Sequence, residues 1–382
     1  MTNKIWTKDF IIYSVINFLL ILVYFLLNST ITTYAQNEYN ASSKTMGLLA
    51  GIFIVGALLG RVTIGFLKIT KKILIINTLL LILSIMLYFI KLDQYVLMIV
   101  RLLNGVFIGI TTTIVGTIVA TVIPNHRKGE GISYFAVSTA LATGLGPFIG
   151  ISLTSNNNFM NIFYISFLLG IISFVISLLL KNQEINNKKK FSFNNLFDKQ
   201  ALPIAFIIFL SALSFSGIVS YINLYAIEID LVKAASYFFI VYTAAVLISR
   251  PFTGKIVDAY GANIIIYPAI ILFVLGLCLL GISHSAWLLL ISGLCIGLGF
   301  GNISSITQTI AVSHAKPHNI GLATSTFMIF MDLGNGIGPY TLGLVTPFLG
   351  YAGMYKSLAI LMIFTFVLYY FVYGKHSKKF KH

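Results

Sequence analysis

Apolar runs long enough to cross a membrane follow one another along nearly the whole chain. A helix needs about 20 apolar residues to cross the hydrocarbon core of a bilayer. Windows of about that size lie at 10–33, 46–67, 73–90, 95–122, 131–153, 159–180, 201–226, 235–255, 263–283, 286–312, 321–348 and 354–374. Only 9% of the residues are charged, against about 25% in soluble globular domains. The sequence therefore predicts an all-α membrane protein with about twelve transmembrane helices.

The positive charge of the chain indicates topology and not nucleic-acid binding. The net charge is +15, but the lysines and arginines form short clusters between the apolar runs. If the amino terminus is cytoplasmic, basic residues of the cytoplasmic segments outnumber those of the outer loops by about eighteen to four. Cytoplasmic loops are enriched in lysine and arginine, so we expect both termini to be cytoplasmic.

One long polar connection divides the chain into two halves. It reads "KNQEINNKKKFSFNNLFDKQ" and lies between the sixth and seventh apolar runs. We therefore predict an N-terminal six-helix half at 1–180, a cytoplasmic central loop at 181–200 and a C-terminal six-helix half at 201–382.

The two halves also resemble each other in sequence. A shift of 192 residues places Gly144, Gly146 and Pro147 on Gly336, Gly338 and Pro339, and carries Gly105 onto Gly297. A shift of 189 pairs Arg61 with Arg250. Two six-helix halves with such an internal repeat are typical of alternating-access transporters.

Three motifs carry a resemblance to the major facilitator superfamily over essentially the whole chain. "RLLNGVFIG" (101–109) is similar to the Arg-x-x-x-Gly element of proton-coupled members, and "GLGPFIG" (144–150) to the Gly-Pro element of drug and metabolite antiporters. "GKIVDAYG" (254–261) matches the Gly-x-x-x-Asp-x-x-Gly loop that latches the cytoplasmic gate. Its first-half copy, "GFLKITKK" (65–72), lacks the aspartate and the second glycine, so a latch there would depend on Lys68, Lys71 and Lys72.

The resemblance and the repeat together imply a set of gating and packing residues. Small residues let helices approach closely, and proline bends a helix where the two halves must move. The set comprises Arg61, Gly65, Gly105, Gly144, Gly146, Pro147, Gly150, Arg250, Gly254, Asp258, Gly261, Gly338 and Pro339.

Ion coupling is the predicted energy source, because the chain has no Gly-x-x-x-x-Gly-Lys-Ser/Thr phosphate loop. Of the ten acidic residues, only Asp332 lies well inside an apolar run, in "FMIFMDLGNGIGPY". An ionised carboxylate is costly at that depth, which favours proton exchange or binding of a substrate cation. The alternative is a permanent pairing with a cation such as Arg250.

Arg101 is the matching cation, about six residues into the fourth run. Arginine keeps its charge, so at that depth it must meet an anion, carbonyl groups or water. We expect it to take part in proton coupling or to bind a substrate carboxylate. The alternative is a structural role, with hydrogen bonds to neighbouring helix carbonyls.

Polar residues at helical spacing predict the lining of a central cavity. Polar side chains that faced lipid would lack hydrogen-bond partners, so such stripes should face the interior. The candidates are Asn17, Tyr24 and Asn28 in the first run, Tyr221, Tyr225 and Glu228 in the seventh, and Asn302, Ser305 and Gln308 in the tenth. Hydrogen bonding between helices is the alternative role for each of them.

These features favour proton-coupled export of a small organic solute by a monomeric protein of the cell membrane. The first run offers Asn17 where many antiporters of cationic drugs carry an acid, which favours a zwitterionic metabolite, a metallophore or another non-cationic solute or drug. Uptake of a sugar, amino acid or other nutrient by proton symport is the alternative, and a receptor built on the same fold is a further one. No enzyme active site, cofactor, metal site or nucleic-acid partner is predicted; the expected partners are the small-molecule substrate, protons and the lipid bilayer.

Overall fold

The structure is a computed structural model that describes residues 5–64, 69–90, 93–123, 128–154, 158–180, 184–185, 197–313 and 320–376. Almost all of the described backbone is helical. The helices are α1 (Lys8–Asn28), α2 (Ile31–Tyr39), α3 (Ser43–Ile64), α4 (Lys71–Met86), α5 (Gln94–Val122), α6 (Lys128–Thr154), α7 (Met160–Leu178), α8 (Leu202–Glu228), α9 (Val232–Tyr260), α10 (Asn263–Gly281), α11 (Ala286–Ser313) and α12 (Ile320–Val372). Short 3₁₀ turns lie at Leu87–Phe89 and Gly374–His376.

The predicted all-α membrane fold is confirmed. Eleven helical stretches of the described residues are long and apolar enough to cross a membrane, with α1 and α2 together forming the first. The last of them contains a break at Gly350, whose φ of 67° interrupts α12. The break divides α12 into segments 320–349 and 351–372, so the described residues supply twelve spans, as the hydropathy pattern predicts.

Side-chain caps begin several of these helices. Thr7 accepts a hydrogen bond from the Phe10 amide before α1, and Thr70 accepts one from the Ile73 amide before α4, each at 3.2 Å. Asp93 accepts one from the Tyr95 amide at the start of α5. These oxygens satisfy amides that have no partner inside the helix, which explains why the helices begin at these residues.

The chain forms two compact units, and each is described by itself. Unit 1 contains residues 1–39 and 52–191, and unit 2 contains residues 40–51 and 192–382. These bounds differ from the predicted halves at the start of α3, where residues 40–51 belong to unit 2. A β-carbon added at Gly47 would lie 2.2 Å from the Pro339 carbonyl oxygen, and one added at Gly51 would lie 2.2 Å from that of Gly336. The first part of α3 is therefore packed directly on the α12 backbone.

In unit 1, Lys71 ties the start of α4 to the end of α7. Its ammonium group donates hydrogen bonds to the carbonyl oxygens of Leu178 and Leu180. A cation at a helix C-terminus interacts favourably with the carbonyl groups that have no partner there. Beside it, the two-residue strands β1 (Ile69–Thr70) and β2 (Glu184–Ile185) pair antiparallel. Lys71 therefore serves as a helix cap here, and Lys68 lies outside the described residues.

Glycines bring the helices of unit 1 into backbone contact. A β-carbon on Gly105 would lie 1.9 Å from the Phe53 carbonyl oxygen, and one on Gly109 would lie 2.3 Å from that of Ala57. Gly56 and Gly60 of α3 face the α5 backbone in the same way. We call this α3–α5 contact the first glycine seam. It follows from the Gly-x-x-x-Gly spacing, which places both glycines on one helix face.

Unit 2 repeats this arrangement between α9 and α11. A β-carbon on Gly297 would lie 2.5 Å from the Tyr242 carbonyl oxygen, and one on Gly301 would lie 2.6 Å from the Val246 side chain. We call this contact the second glycine seam. Gly297 and Gly301 are the residues that the 192-residue shift pairs with Gly105 and Gly109, so equivalent glycines make equivalent contacts in each unit.

The Gly-Pro elements also pack in equivalent places. Gly146 and Gly150 of α6 lie against α1, where added β-carbons would meet Phe25 at 2.6 Å and Thr30 at 2.9 Å. Gly338 of α12 lies against α8, where an added β-carbon would fall 2.0 Å from the Ser216 hydroxyl. Pro147 and Pro339 sit inside helices α6 and α12. Gly144 is buried in α6 as well.

The segment "GKIVDAYG" is not a loop, contrary to the prediction. It forms the last turns of α9, which continues to Tyr260. Gly261 ends the helix with a φ of 91°, and its amide donates to the Val257 carbonyl oxygen. Only glycine adopts this φ without steric cost, which explains the final glycine of the motif. The side chain of Asp258 and the surroundings of Gly254 are outside the described residues.

Candidate functional site

Arg101 is the centre of a buried polar group in unit 1. Its side chain is fully buried, and its Nη2 donates a hydrogen bond to Asn28 Oδ1 at 2.8 Å. Its guanidinium also lies over the Phe53 ring, 5.0 Å from the ring centroid. The Tyr24 ring stacks on the same Phe53 ring, and the two ring centroids are 4.6 Å apart. The structure thus brings three predicted residues, Tyr24, Asn28 and Arg101, into one site.

A chain of hydrogen bonds continues from Arg101 through residues that the sequence did not single out. The Tyr88 hydroxyl interacts with Arg101 and donates to Asn104 Oδ1 at 3.0 Å. Asn104 Nδ2 then donates to the Ser84 hydroxyl at 2.8 Å, and Ser84 donates to the Leu81 carbonyl oxygen at 2.7 Å. Asn104 follows Arg101 by three residues and so shares its helix face. The three-residue spacing in "RLLNG" is the feature of the sequence that indicates a role for Asn104 beside Arg101.

Asn17 joins two helices of unit 1 by hydrogen bonds. It is buried, and its Nδ2 donates to Ser138 Oγ at 2.9 Å and to Thr139 Oγ1 at 3.0 Å. These contacts link α1 to α6. The geometry matches the interhelical alternative for this residue more directly than the cavity-lining one.

Asp332 is buried inside α12, with 7% of its surface exposed. It lies about 18 Å along the helix from Ile320, at 1.5 Å per residue, far from the first-turn amides that solvate a capping acid. On the helix it precedes Gly336 by four residues and Pro339 by seven, so it shares the face that contacts α3. The carboxylate therefore lies one turn beyond the backbone contact between Gly51 and Gly336.

Asp198 is the other buried acid among the described residues, and it has a structural explanation. Its carboxylate accepts hydrogen bonds from the amides of Gln200 at 2.8 Å and Ala201 at 3.2 Å, just before α8. Its own amide donates to Thr326 Oγ1. Asp198 is thus a capping residue at a helix start, whereas Asp332 sits in a helix interior.

The alternative considered for Asp332, a permanent pairing with Arg250, is not found among the residues that the structure describes. Arg250 lies on α9, which packs mainly against α11, while α12 packs mainly against α8 and α10. Within the ranges that the structure describes, Arg250 makes no ion pair, and its Nε has no hydrogen-bond partner. The Tyr242 phenol is the titratable group that interacts with it.

The polar stripe of α8 is engaged in helix packing. Tyr221 is fully buried and donates to the Pro339 carbonyl oxygen at 2.7 Å, and Tyr225 donates to the Ser283 carbonyl oxygen at 3.3 Å. Their rings contact Tyr351 and Tyr355 of α12. Glu228, the last residue of α8, is exposed and is not buried among the helices. The two tyrosines therefore hold α8 to its neighbours.

Replacing Tyr221 with phenylalanine tests this packing role. We expect a loss of about 1 kcal/mol of stability, because the ring remains and one buried hydrogen bond is removed. The measurement is the thermal unfolding midpoint of the purified protein. Tyr260→Phe is the matched control, since Tyr260 is 66% exposed. Equal midpoints for the two variants would contradict the assigned role.

The remaining predicted residues lie in or near the second glycine seam and the end of α3. Asn302 is buried, and its Nδ2 donates to Leu298 O at 2.8 Å and to Ser249 Oγ at 3.3 Å. Ser305 and Gln308 are half-buried on the same helix, and Arg61 is half-buried on α3. Gly65 lies outside the described residues. In the described part of the chain, no group of three His, Cys, Asp or Glu side chains is placed to hold a metal ion.

Comparisons with known proteins assign the family. The model of the Major Facilitator Superfamily matches residues 13–339 and 232–382. An uncharacterised MFS-type transporter of Methanocaldococcus jannaschii, MJ1560, is 30% identical over 88% of this chain and 91% of its own length. The multidrug resistance protein MdtG of Escherichia fergusonii is 23% identical over 71% of this chain and 69% of its own.

Solved structures agree on the fold. The crystal structure of the nucleoside transporter NupG, in its D323A mutant, superimposes with a TM-score of 0.78 over 96% of this chain and all of that chain, at 14% identity. The resemblance that the sequence motifs indicate is therefore confirmed. The chain belongs to the Major Facilitator Superfamily and is a multi-pass transporter of the cell membrane, not an enzyme.

Proposed function

We propose that this transporter exports a small organic solute in exchange for protons, with Asp332 as the proton site. The observation that carries the proposal is the burial of this carboxylate in the interior of α12, at 7% exposure. Ionisation of an acid at that depth is costly, so its charge should change as protons and substrate bind. Asp198 is instead a helix cap, whose carboxylate accepts hydrogen bonds from two backbone amides.

One proton per cycle supplies enough free energy for this task. A hundredfold uphill gradient of a neutral solute costs about 2.7 kcal/mol. A proton that moves down about 100 mV releases about 2.3 kcal/mol, and a pH difference of one unit adds about 1.4 kcal/mol. A single titrating carboxylate therefore meets the energetic requirement.

The polar residues of unit 1 favour a substrate that is not a simple cation. The first span presents Asn17 and Asn28, both buried and hydrogen-bonded, and the site there is centred on the positive charge of Arg101. A zwitterionic metabolite, a metallophore or a non-cationic drug suits this charge. The similarity to the multidrug resistance protein MdtG supports export, at 23% identity.

Inside-out vesicles distinguish export from uptake. With both termini cytoplasmic and the protein acting as a monomer, an exporter would take solutes into such vesicles while protons leave. We expect an added substrate to reverse the quenching of a pH-sensitive dye in vesicles that were acidified inside. The control is vesicles without the protein, and candidate solutes come from comparing metabolites outside cells with and without it. Accumulation that persists after the pH gradient is collapsed would show that transport is not proton-coupled, and accumulation in right-side-out vesicles alone would favour uptake.

A further inference from the structure

The second glycine seam of unit 2 contains three buried polar atoms whose hydrogen-bonding capacity is unused. They are Thr243 Oγ1 and Arg250 Nε of α9 and Asn302 Oδ1 of α11, and none of them has a hydrogen-bond partner among the residues that the structure describes. Thr243 and Asn302 are 7% and 4% exposed. Buried polar atoms are satisfied in native proteins by protein, water or ligand. We call these three residues the α9–α11 polar cluster.

The packing of α11 on α9 brings Asn302 to the turn of α9 that contains Arg250. Asn302 Nδ2 donates to the hydroxyl of Ser249, the neighbour of Arg250, at 3.3 Å. Thr243 precedes Arg250 by seven residues, which puts both on one face of α9. Arg250 lies about 15 Å from the end of α9, at 1.5 Å per residue. The membrane-spanning stretch of this helix is Val232–Arg250, so Arg250 lies at one end of that stretch and Thr243 lies about two turns inside it.

The charge of Arg250 is the least explained feature of the cluster. A guanidinium remains protonated in proteins, and burial without a counter-ion is costly. Arg250 is half-buried, so part of its side chain remains accessible to a solute from outside the chain. In the described segments it makes no ion pair, and the neighbouring phenol of Tyr242 is neutral in its ordinary state. An anion from outside the chain would compensate this charge.

The geometry points to a binding site for the carboxylate of a small organic solute in the α9–α11 polar cluster. The guanidinium fork of Arg250 holds the carboxylate in a bidentate manner. Asn302 Oδ1 accepts a hydrogen bond from an N–H or O–H group of the same solute. A carboxylate carries one negative charge, which matches the single cation of the cluster, whereas a phosphate monoester carries close to two.

This inference rests on the proposed transport function, because it assigns a binding site in unit 2 to the carboxylate of the transported solute. It narrows the substrate class to carboxylates that also carry a hydrogen-bond donor, such as amino-acid-like zwitterions. Carboxylate binding and proton coupling are measured separately. A failure of the pH-gradient assay would leave the binding result unchanged, and the reverse also holds.

Protection of Arg250 from chemical modification tests the site on the unaltered protein. The full-length chain, purified in detergent, is treated with phenylglyoxal, which reacts with accessible guanidinium groups, and each arginine is quantified by peptide mass spectrometry. The probes are benzoate, its uncharged counterpart benzamide, and inorganic phosphate, all at millimolar concentration. We expect benzoate to slow the modification of Arg250 roughly tenfold, the effect of one charge-assisted contact, and to leave Arg61 unchanged.

Benzamide and phosphate should protect Arg250 much less than benzoate. The proposal would be overturned if benzoate did not protect Arg250, or if benzamide or phosphate protected it equally well. It would also be overturned if benzoate protected Arg61 to the same extent.

Two variants provide an independent measurement. Arg250→Lys keeps the charge but loses the planar fork, and Arg250→Gln loses both. We expect the thermal shift induced by benzoate to fall with Arg250→Lys and to vanish with Arg250→Gln. An undiminished shift with Arg250→Gln would contradict the site even where the protection assay agrees.

Discussion

The Asp332→Asn variant should lose uphill transport and keep exchange. Asparagine has nearly the same shape but cannot bind and release a proton, so the pH gradient would no longer be coupled to the solute. In inside-out vesicles we expect the accumulation ratio to fall from about a hundredfold, which costs about 2.7 kcal/mol, to near one. Counterflow of labelled against unlabelled substrate should continue, because it needs no net proton movement.

The Asp198→Asn variant is the matched control for this experiment. Both acids are buried in unit 2, but Asp198 caps α8, and asparagine caps helices as well as aspartate does. Asp198→Asn should therefore retain gradient-driven transport. Undiminished uphill transport by Asp332→Asn would refute its role as the proton site. Loss of counterflow in the same variant would indicate that Asp332 binds the substrate instead.

The Gly105→Ala variant should destabilise the protein strongly. The added β-carbon would fall 1.9 Å from the Phe53 carbonyl oxygen, 2.8 Å from its carbon and 3.0 Å from the Ala57 amide nitrogen. All three are backbone atoms, so no side-chain rotation can relieve the overlap and the helices must separate. We expect a cost of about 3 kcal/mol or more, at the upper end of overpacking effects, measured as a lowered unfolding midpoint and a lower yield of monodisperse protein.

Gly116→Ala provides the control on the same helix. A β-carbon on Gly116 would have no neighbour within 4 Å, so the substitution changes helix propensity alone. Alanine is preferred over glycine in a helix interior by about 0.5–1 kcal/mol. The control should be neutral or slightly stabilising. A similar loss of stability in both variants would show that the backbone contact at the first glycine seam is not the cause of the effect.

Much of the fold could be predicted because hydropathy reports directly on the bilayer. Each predicted span coincides with a helix within a few residues, except where a helix continues into water or changes direction. α9 extends to Tyr260 past Lys255 and Asp258, and a hydropathy window ends at such charges although the backbone does not. The interruption between α1 and α2 at Ser29 and Thr30 falls in an apolar run, so it leaves no trace in hydropathy.

The site was predictable in its members but not in its pairings. Helical spacing placed Asn28 on an interior face, and the depth of Arg101 in an apolar run identified that residue. The two residues are 73 positions apart in the sequence, however, and meet through the packing of α1 on α5. Spacing within one helix carries no information about such a contact. The roles of Tyr88, Asn104 and Phe53 depend on the same packing. The pairing of Asp332 with Arg250 was mistaken because sequence depth alone does not reveal which helices are neighbours.

The glycine seams also limit how each unit can change shape. Packed helices usually slide past each other through small rotamer changes at their interface. Gly105 and Gly109 face carbonyl groups of α3, and Gly297 faces one of α9, so these crossings contain almost no rotatable side chains to absorb such a shift. α3 from residue 52 with α5, and α9 with α11, should therefore each move as one stiff two-helix body. Shear within a unit is left to the interfaces that are lined by long side chains.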